Sequence, residues 1–308
     1  MMKIAIIGAG AMGSLFGGKM AAAADVCLYD VNKAHIDAVK EKGLLMSQGD
    51  KETYVKMRAT TDPKEIGIVD VALFFTKYTF MHSAAKDALN CIGPDTIVIT
   101  LQNGLGCPDL LKEYVSEDQI CYGLTSYTSD FKGPGHIELT TTSSVGTWFW
   151  PLNGKVTEKQ KELERTMCDA GFDVTITKDV NKMIWRKLII NCNYNPLAGL
   201  TQMSTGDLFY NPNTYEIIKN VCFEICDVAQ AKGIDLPREE GLAYLKHIAD
   251  SVYDHVASMG LDVANKRMTE ITVLNEAVAA EGARLGVPTP TVKMLANLIR
   301  ALESQYKK

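Results

Sequence analysis

Lys3-Ile4-Ala5-Ile6-Ile7-Gly8-Ala9-Gly10-Ala11-Met12-Gly13 stands almost at the start of the chain. Residues 3–7 are an apolar, isoleucine-rich run that reads as a buried strand. The run passes directly into Gly-x-Gly-x-x-Gly, and Met12–Ala24 follows as an Ala- and Gly-rich helical stretch. A lone glycine pattern is weak, but strand, glycine turn and helix in this order predict a dinucleotide-binding βα unit. There Gly8 permits the tight turn, Gly10 has no side chain to block a pyrophosphate, and Gly13 lets the helix close on the strand. Ala9, Ala11 and Met12 complete the turn, and the N–H groups of the helix start face the phosphates. A purely structural glycine turn is the alternative.

Working outward, Val26–Tyr29 reads as a second strand, ended by Asp30, 22 residues after Gly8. An acidic residue there accepts hydrogen bonds from ribose hydroxyls and repels a 2′-phosphate, which favours NADH over NADPH. Asp30 could instead cap the helix Asn32–Lys42, and Asn32 and Lys33 soften the repulsion. Tyr54–Arg58 reads as a short strand. Val69–Thr76 and Thr96–Leu101 are nearly continuous apolar runs, as in a parallel sheet covered on both faces. Lys77 and Asn103 lie just past these two runs. Ligands in open α/β sheets sit beyond the carboxyl ends of strands, so both residues can reach cofactor or substrate. The plainer readings are a solvated loop lysine and an Asn-Gly turn. Three further strands are expected at Ile120–Ser126, His136–Thr140 and Ser144–Phe149, then a helix over Thr157–Ala170 and a last strand at Val174–Thr177.

From about residue 179 the pattern is helical: Lys182–Asn195 ending before Pro196, Thr214–Lys232, Glu239–Ala257, Glu270–Leu285 and Thr291–Tyr306. The expected architecture is an α/β Rossmann domain with a doubly wound, mostly parallel sheet over residues 1–178, followed by an all-α domain over 179–308. The chain has 308 residues, 32 basic against 37 acidic, and a pI near 5.6. Such a balance argues against a nucleic-acid partner or an anionic membrane. No apolar run reaches membrane-spanning length. The N-terminal apolar run is too short for a signal peptide, so a cytoplasmic location is expected. The eight cysteines lack metal-ligand spacing, so no metal is expected.

In the helical half, Lys187, Asn191 and Asn195 recur every four residues on a helix with apolar flanks. That spacing puts them on one stripe, which either faces water or lines a polar cleft. Asparagine is a modest helix former, which favours the cleft. Glu270 stands at a predicted helix start, where the dipole favours a carboxylate. Ser258 follows the preceding helix and reads otherwise as a turn serine.

These motifs together resemble the ketopantoate reductase family (2-dehydropantoate 2-reductase). The resemblance rests on Gly8–Gly13, Lys77, Asn103-Gly104, Trp185-Arg186-Lys187-Leu188 through Asn191 to Asn195-Pro196-Leu197, and Ser258-Met259 leading to Thr269-Glu270-Ile271, and it covers nearly the whole chain. It implies a Rossmann domain and a helical domain with the active site between them. It further implies NADPH-dependent reduction of 2-dehydropantoate to pantoate, toward pantothenate. Carried over by motif, Lys187 is the catalytic lysine and contacts substrate. Asn191, Asn195 and Ser258 hold the substrate. Glu270 supports the lysine and contacts substrate or cofactor, and Asn103 and Lys77 line the nicotinamide side. The chemistry agrees: hydride arriving at a ketone leaves an alkoxide, which an ammonium stabilises and protonates. Two features depart from the family pattern. Asp30-Val31 stands where a basic residue is usual, and Thr205 and His255 stand where substrate-facing asparagines are expected. The alternatives are an NADH-linked reductase of another small 2-keto acid and a non-catalytic dinucleotide sensor. A homodimer stays open.

Overall fold

A computed structural model of the chain describes residues 1–141 and 145–306. Two units form, one of Met1–Gln102 with Cys107–Val180, the other of Asn103–Gly106 with Asn181–Lys308.

The first unit runs β1 (Lys3–Ile7), α1 (Ala11–Met20), β2 (Asp25–Tyr29), α2 (Lys33–Lys42), β3 (Leu44–Gln48), β4 (Lys51–Val55), β5 (Arg58–Thr60), β6 (Val69–Phe74), α3 (Met81–Ala88), β7 (Ile92–Thr100), α4 (Cys107–Leu111), β8 (Ile120–Thr125), β9 (Ser129–Gly133), β10 (His136–Leu139), β11 (Thr147–Pro151), α5 (Glu158–Asp169) and β12 (Val174–Ile176). Eight strands form one sheet in the order β12-β11-β8-β7-β6-β1-β2-β5, parallel throughout except where β11 meets β8. Alternate residues of β1 feed opposite cores, as the two-residue period of a strand requires. Ile4 and Ile6 pack with Leu15 and Phe16 of α1, while Ala5 and Ile7 join the core of Met81, Ala85 and Leu110 from α3 and α4. The expected doubly wound sheet is therefore present.

A second sheet, in the order β4-β3-β10-β9, was not expected from the sequence. The stretch Tyr54–Arg58 is not one strand. β4 ends at Val55 and pairs back on β3, while β5 starts at Arg58 and joins β2 in the large sheet. Ser144, the expected start of the next strand, lies outside the described residues.

The second unit holds α6 (Val180–Thr201), α7 (Thr205–Tyr210), α8 (Pro212–Ala231), α9 (Arg238–Ser251), α10 (Ser258–Ala264), a π-turn (Thr272–Glu276), α11 (Ala277–Leu285) and α12 (Pro290–Glu303). The expected stop before Pro196 is corrected: α6 continues through that proline to Thr201. Proline has no N–H, so the Cys192 carbonyl loses its helical donor. The Nδ2 of Asn275 donates to it instead, at 3.0 Å. The helix expected over Glu239–Ala257 stops at Ser251. The loop that follows is anchored on α7: the Thr205 N–H and Oγ1 donate to the His255 carbonyl at 2.8 and 2.9 Å, and the Gly206 N–H donates to that of Tyr253. Among the described residues no helix is long and apolar enough to cross a membrane.

Candidate active site

The glycine turn is built as its sequence demands. Gly8 has φ +96°, and a Cβ there would lie 2.8 Å from the Thr76 backbone. At Gly13 a Cβ would meet the Gly8 carbonyl oxygen at 1.9 Å. Gly10 differs, because a Cβ there would touch nothing in the protein. It is exposed and begins α1 without a side-chain cap. The first N–H groups of α1 have no helical partner, so the bare backbone at Gly10 leaves an anion-accepting helix end. This cradle fits a dinucleotide pyrophosphate.

Asp30 does not cap α2; Asn32 does, its side chain accepting from the His35 N–H at 3.3 Å. One Asp30 oxygen accepts the Ala9 N–H at 2.7 Å and the other the Asn32 N–H at 2.8 Å. The carboxylate is thereby fixed beside the glycine turn, and each oxygen keeps lone pairs for ribose hydroxyls. Val31, beside it, is exposed. A buried relay braces the turn from behind. The Gly135 N–H donates to His35 Nδ1 at 2.9 Å, His35 Nε2 lies 3.1 Å from Ser14 Oγ, and Ser14 Oγ donates to the Ala9 carbonyl at 2.8 Å. Since Nδ1 accepts, the neutral ring carries its proton on Nε2 and donates it to Ser14. Burial lowers the His35 pKa, with the Asp30 charge opposing.

Lys77 is exposed and starts the 3-10 turn Tyr78–Phe80 beyond β6. Gln102, which the sequence did not mark, bonds to the Thr76 carbonyl and accepts from Thr100 Oγ1 at 2.8 Å. It ties together the carboxyl ends of the neighbouring strands β6 and β7.

In the second unit, Trp185, Leu188, Ile189 and Cys192 are buried, which fixes the rotation of α6 about its axis. The neighbouring stripe leaves Lys187 and Asn191 half-buried and Asn195 buried, not a solvated face. Lys187 lies within electrostatic reach of Glu270: burial pushes its amine down to about 8, and the Glu270 charge pulls it up. Asn103 also belongs to this unit, in a segment where the Leu105 N–H donates to the Val273 carbonyl of the π-turn at 2.8 Å. Ser258 is exposed at the first residue of α10. Thr205 is buried, with its hydroxyl committed to the His255 carbonyl, while His255 is exposed. So Lys187, Glu270, Asn191, Asn195, Asn103 and Ser258 share one unit, and Gly8–Gly13, Asp30 and Lys77 the other. Asn275 and the His35–Ser14 relay were missed; Pro196 within an apolar helix was the available signal for the first. Among the described residues no group of three or more His, Cys, Asp or Glu could hold a metal ion.

Two solved structures of similar fold are a dehydrogenase and a reductase. A D-mandelate dehydrogenase in a ternary structure with NADH and anilino(oxo)acetate matches with a TM-score of 0.92 at 29% identity, over 100% of both chains. A PanE/ApbA family ketopantoate reductase from Ralstonia eutropha JMP134 matches with 0.90 at 30%, again over 100% of both. Fold and likeness together define an NAD(P)H-dependent oxidoreductase acting on 2-keto acids.

The profile for ketopantoate reductase PanE/ApbA matches residues 4–153, and that for its C-terminal part matches residues 179–303. A 2-dehydropantoate 2-reductase of Streptococcus pyogenes serotype M1 is 32% identical over 305 residues, 98% of each chain. The chain belongs to the ketopantoate reductase family.

Proposed function

We propose that this protein reduces ketopantoate to pantoate, with Lys187 as proton donor. The observation that carries the reading is the half-buried stripe of α6 that holds Lys187, Asn191 and Asn195, with Lys187 within electrostatic reach of Glu270. Bound nicotinamide dinucleotide supplies the hydride. The Lys187 ammonium stabilises the oxygen that gains charge and gives it a proton. Glu270 keeps the lysine charged and oriented. Asn191, Asn195 and Ser258 orient the substrate carboxylate and hydroxyl without adding charge. Asn103 and Lys77 line the nicotinamide side. Gly8–Gly13 hold the pyrophosphate.

A second reading concerns cofactor and substrate together: an NADH-linked reductase of another small 2-keto acid. The fixed Asp30 carboxylate next to exposed Val31 favours it. So does the likeness to a D-mandelate dehydrogenase whose structure holds NADH.

Lys187→Ala is expected to bind the dinucleotide as the wild type does and to lose about 10²–10⁴-fold in kcat. Wild-type turnover in that variant overturns the mechanism. Steady-state assays of ketopantoate and a 2-keto acid panel, each with NADH and NADPH, separate the two readings. No ketopantoate turnover defeats the first.

A further inference from the structure

The π-turn Thr272–Glu276 contacts the segments that carry Glu270, Asn103 and the Lys187–Asn195 stripe. Glu270 leads into it, its carbonyl accepting the Val273 N–H at 3.1 Å, and the turn closes through the Glu276 N–H to the Ile271 carbonyl at 3.1 Å. Its Val273 carbonyl holds the Leu105 N–H, two residues beyond Asn103. The fit is close, since a Cβ on Gly104, at φ +88°, would lie 2.3 Å from that same carbonyl oxygen. π-Turns inside helices are frequent at functional sites, because the extra residue redirects side chains.

Asn275, near the end of this turn, is wholly buried and donates Nδ2 to the Cys192 carbonyl at 3.0 Å. That acceptor exists because residue 196 is proline. Any other residue there would offer a helical N–H to Cys192 and leave Asn275 without its role. Cys192 follows Asn191 directly and lies five residues after Lys187. On its other side the segment is fixed to α12, where the Thr269 N–H and Oγ1 donate to Glu303 at 2.7 and 2.8 Å, and Arg300 Nη2 donates to Thr272 Oγ1 at 2.6 Å. We propose that Asn275 is a positioning residue: by docking the π-turn on the carbonyl that Pro196 exposes, it sets Glu270 against Lys187. This rests on the reading of Lys187 as proton donor and Glu270 as its partner.

The alternative is that Asn275 only satisfies a buried carbonyl and acts on stability alone. Two variants separate the two, assayed with the 2-keto acid the wild type turns over best. Asn275→Ala is expected to lower the Tm and to lower kcat about 10–100-fold, the cost of a misplaced catalytic group. The alkaline limb of its kcat–pH profile should move to lower pH, because a more distant Glu270 supports the ammonium less. Pro196→Ala restores an N–H to the Cys192 carbonyl. In Asn275→Ala/Pro196→Ala the Tm should therefore recover while kcat stays low. Recovery of kcat together with Tm overturns the proposal, as does wild-type kcat in Asn275→Ala. Should the single variant fail to fold, the double variant carries the same readout: low kcat supports the proposal and wild-type kcat overturns it. Lys187→Ala run alongside keeps the two claims apart. Loss there with wild-type kcat in Asn275→Ala sinks this inference alone, whereas wild-type kcat in Lys187→Ala sinks the parent reading.

Discussion

Lys187 is a group on which two forces disagree. Burial favours the neutral amine and Glu270 favours the ammonium, and burial prevails, leaving the pKa at about 8. A proton donor near that value is still charged at neutral pH yet gives up its proton readily. The expected consequence is a kcat for reduction that holds below about pH 8 and falls roughly tenfold per pH unit above it. A single-turnover pH series with NADH fluorescence measures this, and a flat profile to pH 10 contradicts it. At Asp30 the question is coenzyme choice. Asp30→Asn keeps one oxygen to accept a hydrogen bond but removes the charge that repels a 2′-phosphate. The ratio of kcat/KM with NADH to that with NADPH is expected to fall about tenfold, in line with losing a charge-assisted bond. An unchanged ratio means that Asp30 only braces Ala9 and Asn32.

Among the elements, α1 and its glycine turn depend on a relay that reaches them from the small sheet. Ser14→Ala leaves the Ala9 carbonyl and the His35 Nε2–H without partners in a buried place. Each such loss costs about 1–3 kcal/mol, so urea unfolding should show destabilisation of that order; a change below a few tenths would mean the relay is slack. The turn itself was legible from the sequence because its cause is local: β1, three glycines and α1 lie within twenty residues. β6 and β7 were legible because strands buried on both faces read as unbroken apolar runs. β9 was not, since Asp130, Phe131 and Lys132 are exposed and give no alternation. The continuation of α6 through Pro196 was not legible either, because the donor that permits it lies 83 residues away. The Lys187–Asn191–Asn195 stripe was readable from its period, whereas the anchoring of its helix to the π-turn required the fold.

For the molecule as a whole, buried ionisable groups set how stability follows pH. The Lys187 pKa falls from 10.5 in the unfolded chain to about 8 in the fold, so between these values the unfolded state binds more protons and stability rises with pH. Below pH 8 the burial penalty is fully felt. Lys187→Met should therefore raise the Tm at pH 7 by about 2–4 °C per kcal/mol relieved, and the gain should shrink toward pH 10.5. Calorimetry at both pH values tests it, and a lower Tm at pH 7 refutes it. His35 acts at the acid end. Its pKa lies below the unfolded 6.5, so its contribution is complete above that value and is lost as pH drops through the folded one. The small sheet has a consequence of another kind. Leu45–Ser47 of β3 pairs with His136–Glu138 of β10, and the Ser47–His136 contact closes over 89 residues. During synthesis the β3–β4 hairpin emerges from the ribosome with one edge open. At about 5–20 residues per second it waits roughly 4–16 s for its mate. Nascent chains halted before residue 130 should accordingly be cut by protease within Leu44–Val55, and those extended past residue 180 should resist.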